Sequence, residues 1–376
     1  MNFNRYLFKN LKSDLADHKM VFVGGARQVG KTTLAKQFIT SDEQYLNWDK
    51  SSDRALILKD QIDTSKKLIV LDEVHKYRKW RALLKGYYDK FSPKLNFIVT
   101  GSARLDHFRK GGDSLLGRYH YWRLHPITLS EINSKPSNSD FKNLIHFGGF
   151  PEPLLKQQQI FLQRWQRERV HRVVQQDLRD LEQVKDISLL ELLAHTLPTK
   201  VGSTLSIKSL QEDLQVSPNT VERWVQLLES VYYAYRIAPY GPPKIKAVKK
   251  AQKLYLWDWS EVEDEGAKFE NFVASHLLKF CHFQEDAFGL KTELRYFKDV
   301  VTEKEIDFIV LQKGKPLFAV ECKSGERELS SSLVRNATRL KIPLVFQVHR
   351  GSRDFGNEKT GRVLPFHKFC SELSIP

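Results

Sequence analysis

Apolar residues in the first third of the chain form short, uninterrupted runs. Such runs occupy residues 21–23, 68–71 and 97–99, and each is followed at once by glycine, aspartate or threonine. Unbroken apolar runs of this length are typical of strands that a parallel sheet buries on both faces. Residues 45–48 and 119–124 predict two further strands. The region is therefore predicted to be an α/β domain built on a five-stranded parallel sheet.

Helical spacing of apolar residues occurs both before and after this sheet. Residues 6, 7, 11 and 15 follow one helix face, and residues 161–184 predict a long basic amphipathic helix. Its arginines are Arg164, Arg167, Arg169, Arg172 and Arg179. We interpret this helix either as a solvated lid or as a DNA contact, and its sequence favours neither.

The first strand leads into a loop that satisfies the phosphate-binding pattern G-x-x-x-x-G-K-[ST]. Its glycines allow backbone N–H groups to point at phosphate oxygens, Lys31 reaches the β and γ phosphates, and the Thr32 hydroxyl completes a Mg²⁺ shell. A chance Gly-Lys-Thr turn is the alternative, but strand, loop and helix occur in the required order. The predicted ATP-binding residues are Gly25, Ala26, Arg27, Gln28, Val29, Gly30, Lys31, Thr32 and Thr33.

Two carboxylates close the apolar run at residues 68–71, as in a Walker B segment. Asp72 is predicted to hold Mg²⁺ through water, and Glu73 to take a proton from the attacking water. A pair of solvent-facing acids is the alternative. Thr100 or Ser102, after the next strand, is favoured as a sensor of the γ phosphate, although a plain turn explains them equally well.

The middle of the chain has the outline of a winged helix. Helices are predicted at residues 207–214 and 216–228, with Ser217 as N-cap and Pro218 at the first helical position. The second helix exposes Asn219, Thr220, Glu222, Arg223 and Gln226. Strands at 234–238 and 253–257 form the wing, whose loop carries Lys244, Lys246, Lys249, Lys250 and Lys253 and no acid. We expect this surface to contact a nucleic-acid backbone, with a protein–protein spacer as the alternative.

Acidic residues and a lysine recur at matching positions of a predicted C-terminal hairpin. Strands at 305–311 and 317–323 pair about a short turn, so that Asp307 falls opposite Val320 and Glu321, and Glu321 shares a face with Lys323. This D…E-x-K arrangement is the active-site pattern of restriction-endonuclease-like folds, PD-(D/E)xK. Asp307, Glu321 and the Cys322 carbonyl would bind Mg²⁺ or Mn²⁺, Glu270 on a preceding helix would support the metal or its water, and Lys323 would activate the nucleophile. An exposed strand with alternating charges is the alternative.

Several short motifs together resemble a bacterial and archaeal family of AAA-type ATPases. They are the phosphate loop, residues 72–76, Trp80, residues 84–86, 101–104, 116–118 and 149–151. The resemblance covers nearly the whole chain and implies a homo-oligomer, with a hexameric ring as one form, in which an arginine of a neighbouring subunit completes the ATP site. Arg104 and Arg118 are the candidates here. The resemblance also assigns the helix glutamate, E-x-D and E-x-K motifs to the restriction-endonuclease-like domain of that family.

Composition limits the possible partners and the compartment. The formal net charge is +15, which favours a polyanion such as DNA. The three cysteines form no C-x-x-C pair, and no apolar run approaches the ~20 residues that span a bilayer. We therefore expect a cytoplasmic protein with no membrane contact.

The predicted organisation has four parts. Residues 1–158 form the ATPase core, 159–190 a helical lid or linker, 191–260 the winged helix, and 261–376 the nuclease-like domain. One hypothesis is an ATP-dependent DNA-processing enzyme that acts on DNA, branched DNA included, with a metal-dependent nuclease. The other is a nucleotide-dependent switch whose C-terminal domain binds DNA or protein without cleaving it.

Overall fold

The computed structural model describes residues 3–101, 115–133, 136–178, 186–241, 251–299 and 301–376. Several residues singled out by the sequence lie outside this part of the chain. They are Ser102, Arg104, Arg179, Lys244, Lys246, Lys249 and Lys250.

The N-terminal region is the predicted five-stranded parallel sheet. Its strands are β1 (Met20–Gly24), β2 (Tyr45–Asn47), β3 (Leu68–Asp72), β4 (Asn96–Gly101) and β5 (Tyr119–Arg123), in the order β2-β3-β4-β1-β5. The helices of this region are α1 (Phe8–Ala16), α2 (Lys31–Lys36), α3 (Ser51–Leu58) and α4 (Trp80–Phe91), with 3-10 turns at Asp42–Gln44 and Val74–Lys76. The α/β class and the parallel sheet are confirmed.

Strand register brings the catalytic candidates to one edge of this sheet. Gly24 pairs with Gly101, and Asp72 pairs with Thr100, at the carboxyl ends of the central strands. Ligands of open parallel sheets bind outside these carboxyl ends. The phosphate loop and the two strand-end acids therefore belong to a single site.

The helical connection that follows is partly buried. It comprises α5 (Leu129–Ile132), α6 (Asn138–Phe147), α7 (Pro151–Lys156), α8 (Gln159–Arg172) and a π-helix (Val173–Leu178). The expectation that the arginines of α8 form a solvated or DNA-binding face is wrong for Arg169, which is 5% exposed and pairs with Glu261. The guanidinium lies over the rings of Phe150 and Tyr233, whereas Arg164 and Arg167 of the same helix are exposed.

The middle of the chain contains the predicted helix–turn–helix and strand pair. The helices are α9 (Ile187–Thr196), α10 (Ile207–Leu214) and α11 (Pro218–Ser230), with a 3-10 turn at Leu197–Lys200, and the strands are β6 (Ala234–Ile237) and β7 (Lys253–Leu256). The Ser217 hydroxyl accepts the Thr220 backbone N–H at 3.1 Å, as expected of an N-cap. The two strands pair antiparallel. Their assignment as a winged helix stays a prediction.

A mixed six-stranded sheet and one long helix form the C-terminal region. The strands are β8 (Thr292–Lys298), β9 (Glu305–Gln312), β10 (Lys315–Lys323), β11 (Val345–His349), β12 (Phe355–Asn357) and β13 (Gly361–Pro365), in the order β12-β13-β11-β10-β9-β8. The helices are α12 (Glu265–Phe288), α13 (Ser331–Arg339) and α14 (Phe366–Glu372), and a 3-10 turn at Trp259–Glu261 precedes α12. Phe308 pairs with Val320, which confirms the predicted hairpin register.

Helix α12 contacts β5 of the N-terminal sheet, helix α6, strand β7 and strands β8, β9 and β10. Its Phe272 contacts the rings of Phe141, Trp259 and Phe366, which come from three different elements. One apolar core extends from Leu7 to Ile375 as a result. Within the described ranges, no helix combines the length and the apolar character that a membrane crossing requires.

Candidate functional site

The phosphate loop connects β1 to α2 through a backbone that glycine alone adopts easily. Gly30 has φ +100° and immediately precedes α2. A Cβ at this position would also lie 3.2 Å from Nη1 of Arg5. Gly30 is therefore required both for the turn and for the close approach of that guanidinium.

The ammonium of Lys31 lies against the loop itself. It donates to the carbonyls of Gly25 at 2.9 Å and Ala26 at 2.8 Å, and the residue is 6% exposed. The predicted phosphate ligand is thus positioned at the mouth of the loop. An incoming triphosphate oxygen would meet this cation together with the backbone N–H groups.

Three hydroxyl groups surround the Asp72 carboxylate. It accepts hydrogen bonds from Thr32 Oγ1 at 2.8 Å, from the Tyr45 hydroxyl at 2.6 Å, and from Thr100 Oγ1. Burial and the contact with Asp72 raise the pKa of Tyr45, so this phenol stays a donor. Thr32 and Asp72 offer adjacent hard oxygens, which fits Mg²⁺. Thr100 orients the Asp72 carboxylate in this arrangement, and its role as a sensor of the γ phosphate stays a prediction.

Glu73 lies beside Asp72 but faces different neighbours. Its φ of +58° turns the chain, and its backbone N–H donates to the Thr100 carbonyl at 2.9 Å. The carboxylate lies 3.7 Å from Nε2 of His75 and 3.8 Å from Nζ of Lys76. Burial lowers the pKa of His75, so this imidazole is neutral at pH 7. The Glu73 carboxylate thus lies beside a cation and a neutral imidazole, and its role as a base stays a prediction.

A cleft of about 580 Å³ joins these residues. It is lined by Arg27, Gln28, Lys31, Thr32 and Glu73 on the loop side, and by Phe3, Pro151 and Leu155 on the apolar side. This volume lies in the range of small-ligand sites. A larger cavity of about 760 Å³ lies beside Asp14, His120 and Arg123 and contains none of the predicted ATP-binding residues.

Arg5 is a site residue that the sequence does not reveal. It is 5% exposed and donates to the Val29 carbonyl of the loop at 2.6 Å. A single arginine before the first helix belongs to no motif. Its contact with the loop follows only from the way α1 packs on the sheet.

The predicted C-terminal acids come together between α12, β9 and β10. The Cys322 backbone N–H donates to Asp307 Oδ2 at 2.8 Å, and Lys323 Nζ donates to Glu321 Oε1 at 2.8 Å. Glu321 is 7% exposed, and within the described ranges its Oε2 is buried without a hydrogen-bond partner. The hairpin thus leaves one carboxylate oxygen of the E-x-K motif for another ligand.

Mutual repulsion is evident in the ionisation of this cluster. Burial, followed by the charge of Asp307, raises the pKa of Glu270 and of Glu321 to about 7 each. Burial also raises the pKa of Asp307. In the part of the chain that the structure describes, however, no three acid, histidine or cysteine side chains form a ready-made metal cluster.

The placement of Lys253 in the basic wing loop is wrong. Lys253 is 3% exposed, and its Nζ lies 2.8 Å from Glu305 Oε2 and 3.4 Å from Glu270 Oε1. The Tyr255 hydroxyl also donates to Glu270 Oε1, at 2.7 Å. Alternation along β7 directs both side chains toward α12. The i, i+2 spacing of this lysine and tyrosine in a predicted strand was the signal for this contact.

Helix α11 carries the described part of the predicted DNA surface. Asn219 and Arg223 are exposed. Glu222 differs from the prediction, because it is half-buried and accepts from both Nη atoms of Arg236 at 3.1 Å. The described DNA-facing candidates on this helix are therefore the exposed amide and guanidinium side chains.

Arg118 lies at the amino end of β5. Its Nε donates to Asp89 Oδ1 at 2.9 Å. Met20 pairs with Tyr119 and Gly24 with Arg123, and the phosphate loop follows Gly24, so Arg118 lies about 17 Å further back along the sheet at ~3.3 Å per residue. The assignment of Arg118 as an arginine that completes the ATP site of a neighbouring copy stays a prediction.

Three family models match successive parts of the chain. An AAA domain matches residues 17–133, and two domains of unknown function, DUF8612 and DUF4143, match residues 138–260 and 265–369. An uncharacterised protein of Methanocaldococcus jannaschii is 23% identical, over 86% of this chain and 79% of that protein. An uncharacterised protein of Mycobacterium tuberculosis is 21% identical, over 95% of this chain and 82% of that protein.

Two solved structures are also similar to the chain. The Aeropyrum pernix ORC1 protein in complex with DNA has 11% identity and a TM-score of 0.34, over 73% of this chain and 94% of that one. A Signal Transduction ATPase with Numerous Domains from Pyrococcus horikoshii has 15% identity and a TM-score of 0.27, over 75% of this chain and 47% of that one.

Proposed function

We propose that this chain, in which residues 17–133 form an AAA-type P-loop ATPase domain, couples ATP hydrolysis to the processing of DNA by a metal-dependent phosphodiesterase site in its C-terminal region. The observation that carries the proposal is the convergence of Asp307, Glu321 and Lys323 on one hairpin, with Glu270 on the helix that covers it. Each of these side chains has a role in phosphodiester hydrolysis that its neighbours support.

In the ATP site, different residues would bind the nucleotide and take part in its hydrolysis. Lys31 and the loop N–H groups would hold the phosphates, while Thr32 and Asp72 would hold Mg²⁺. Bound Mg²⁺ neutralises charge on the phosphates. Glu73, which lines the same cleft, would accept the proton of the attacking water.

In the C-terminal site, the donor set suits a hard divalent cation. The buried, unpartnered Oε2 of Glu321 and the neighbouring Asp307 carboxylate are oxygen ligands of the type that Mg²⁺ and Mn²⁺ prefer. A bound cation would also oppose the combined effect of burial and of the Asp307 charge, which raises the pKa of both glutamates. Lys323, half-buried beside Glu321, would then orient the water that attacks phosphorus.

Charge supports DNA as the substrate class. The formal net charge is +15, and α11 exposes Asn219 and Arg223. Lys244, Lys246, Lys249 and Lys250 belong to the same predicted surface. Binding through such residues releases counterions, so affinity for DNA should fall steeply with salt.

One observation favours the alternative of a nucleotide-dependent switch that does not cleave. Lys253 already supplies a positive charge to Glu270 and Glu305. A cluster neutralised by a lysine can bind DNA or protein without a metal. Hydrolysis of ATP would then change the exposure of this surface rather than drive cutting.

The proposal is tested by incubating the purified chain with fluorescent linear, forked and four-way DNA, with Mg²⁺ or Mn²⁺ and with or without ATP. The expected result is metal-dependent cutting that Asp307→Asn abolishes and Glu328→Gln, an exposed acid close to the same strand, leaves unchanged. Binding of the same DNAs is measured in parallel over a range of salt concentrations. Salt-sensitive binding without cutting by the wild type would favour the switch, and absence of both would exclude DNA as the substrate.

A further inference from the structure

A buried cluster of charges joins the phosphate loop to the C-terminal region. Arg5 donates to the Val29 carbonyl at 2.6 Å, to the His125 carbonyl at 2.5 Å and to Glu131 Oε1 at 2.8 Å. Val29 directly precedes the left-handed Gly30. One guanidinium therefore fixes the last turn of the phosphate loop against the segment that follows β5.

Glu131 lies at the centre of this cluster. Its Oε1 also accepts the Tyr6 backbone N–H at 3.2 Å, and its Oε2 accepts from Lys279 Nζ at 2.5 Å. Burial opposes the ionisation of Glu131, but the charges of Arg5 and Lys279 outweigh it and lower the pKa to about 2. The carboxylate is therefore charged at any pH at which the protein works.

Helix α12 contributes Lys279 to this buried cluster of charges. Lys279 is fully buried, donates to Thr128 Oγ1 at 2.7 Å, and lies 3.9 Å from the centre of the Tyr6 ring. Burial lowers the pKa of Lys279 to about 8 in spite of the attraction of Glu131, so the ammonium is still charged at pH 7. Because a charge buried without its partner is strongly unfavourable, the positions of the three charges depend on one another.

We propose that Arg5 is a positioning residue for the phosphate loop, and that Lys279 completes its support, so that the ATP site depends on a side chain of α12. Arg5 and Lys279 both lie outside the matched AAA domain of residues 17–133. A change in the loop on nucleotide binding is transmitted through Arg5 and Glu131 to α12. That helix also carries Glu270, about 14 Å from Lys279 at ~1.5 Å per residue.

The test compares Lys279→Met with Asp286→Asn. Asp286 is on the same helix and accepts from Arg123 Nη2 at 2.6 Å, so it joins α12 to β5 without reaching the loop. Steady-state kinetics give kcat and KM for ATP, a fluorescent ADP analogue gives nucleotide affinity, and hydrogen exchange reports on the α12 amides with and without ADP. We expect Lys279→Met to lower kcat/KM roughly 2- to 30-fold, the range of measured coupling between sites, and to abolish ADP-dependent protection of α12. The kcat/KM of Asp286→Asn should stay within about twofold of the wild-type value.

Arg5→Lys provides a second variant. Lysine keeps the charge opposite Glu131 but lacks the rigid fork that reaches three acceptors, so kcat/KM should fall while the melting temperature stays close to that of the wild type. Equal effects of Lys279→Met and Asp286→Asn, or a wild type whose α12 exchange ignores ADP, would overturn the proposal. Should Lys279→Met fail to fold, wild-type kcat/KM in Arg5→Lys would overturn it instead. None of these outcomes depends on cleavage of DNA.

Discussion

At the scale of single residues, two adjacent carboxylates differ because of what surrounds each one. Asp72 ends a buried strand and accepts three hydroxyl hydrogen bonds, which fix the orientation of its carboxylate. Glu73 has a left-handed backbone that directs its carboxylate toward His75 and Lys76 in the cleft. The same functional group is therefore expected to bind a metal at one position and to accept a proton at the next.

Glu73→Gln is expected to lower kcat for ATP by about 10²- to 10⁴-fold, the usual contribution of a general base, while nucleotide still binds. Lys31→Ala should abolish turnover and weaken binding as well, because the phosphate ligand is lost. Phosphate-release assays and titration with a fluorescent ADP analogue separate the two effects. Glu43→Gln, an exposed acid of the same domain, is the control. Wild-type turnover in Glu73→Gln would disprove its role as base.

The sequence could predict Asp72, Glu73 and Lys31, because each belongs to a motif with fixed local spacing. It could not predict Tyr45 as a partner of Asp72, since that contact depends on β2 pairing beside β3. Arg5 was missed for the same reason. Its three acceptors come from segments 24 to 126 residues away along the chain.

The pKa of Glu321, raised to about 7 by burial and by Asp307, predicts how stability depends on pH. The folded metal-free protein keeps this proton between about pH 4.5 and 7, where the unfolded chain has lost it. Raising the pH from 6 to 8 should therefore lower the free energy of unfolding by about 1 kcal/mol more in the wild type than in Glu321→Gln, at ~1.4 kcal/mol per pKa unit. Urea denaturation with EDTA measures this difference. Identical pH profiles of the wild type and Glu321→Gln would contradict this role of Glu321. At pH 8, Mn²⁺ should stabilise the wild type but not Glu321→Gln.

At the scale of secondary-structure elements, successive side chains of a strand point to opposite faces, and this rule accounts for two contacts of the C-terminal site. It predicts Glu321 and Lys323 on one face of β10, and the structure pairs them. It also applies to Lys253 and Tyr255, which β7 presents to Glu270. The lysines near Lys253 in the sequence favour its placement in the basic loop. The pairing of β7 instead decides the direction of the Lys253 side chain.

Lys253→Met is expected to tighten the binding of Mn²⁺ to the metal-free protein, because the ammonium no longer competes for Glu270. The same change should destabilise the metal-free fold by about 3–5 kcal/mol, as expected when a buried charge pair is broken. Calorimetric titration with MnCl₂ and chemical denaturation measure the two effects. Lys298→Met, whose partly exposed ammonium lies 3.6 Å from Glu305, is the matched control. Unchanged or weaker Mn²⁺ binding in Lys253→Met would show that the lysine is no substitute for a metal.

At the scale of the whole molecule, the location of Arg118 is compatible with its predicted role in the ATP site of another copy. Arg118 lies at the amino edge of the sheet and the phosphate loop at the carboxyl edge. One copy therefore presents an ATP site and an arginine on opposite sides. In the predicted oligomer, a head-to-tail arrangement of copies would bring each arginine to the ATP site of its neighbour, and contacts of this type close into rings or extend as filaments.

Mixing two inactive variants is therefore expected to restore ATP turnover. Lys31→Ala cannot use ATP but still supplies Arg118, whereas Arg118→Ala binds ATP but lacks the arginine that a neighbour must receive. The ATP turnover of each variant alone should be at least tenfold below that of the wild type. An arginine finger contributes a factor of ~10³–10⁵ to kcat in comparable ATP and GTP hydrolysis. Turnover should rise when equal amounts of the two variants are combined, and the wild type should show activity that depends on its concentration.

Lys19→Ala, which removes a cation that donates to the Gly117 carbonyl at 2.6 Å, is the control for a general loss of positive charge at this edge of the sheet. Full activity of Arg118→Ala alone would remove Arg118 from the ATP site and leave the arginine at residue 104 as the candidate.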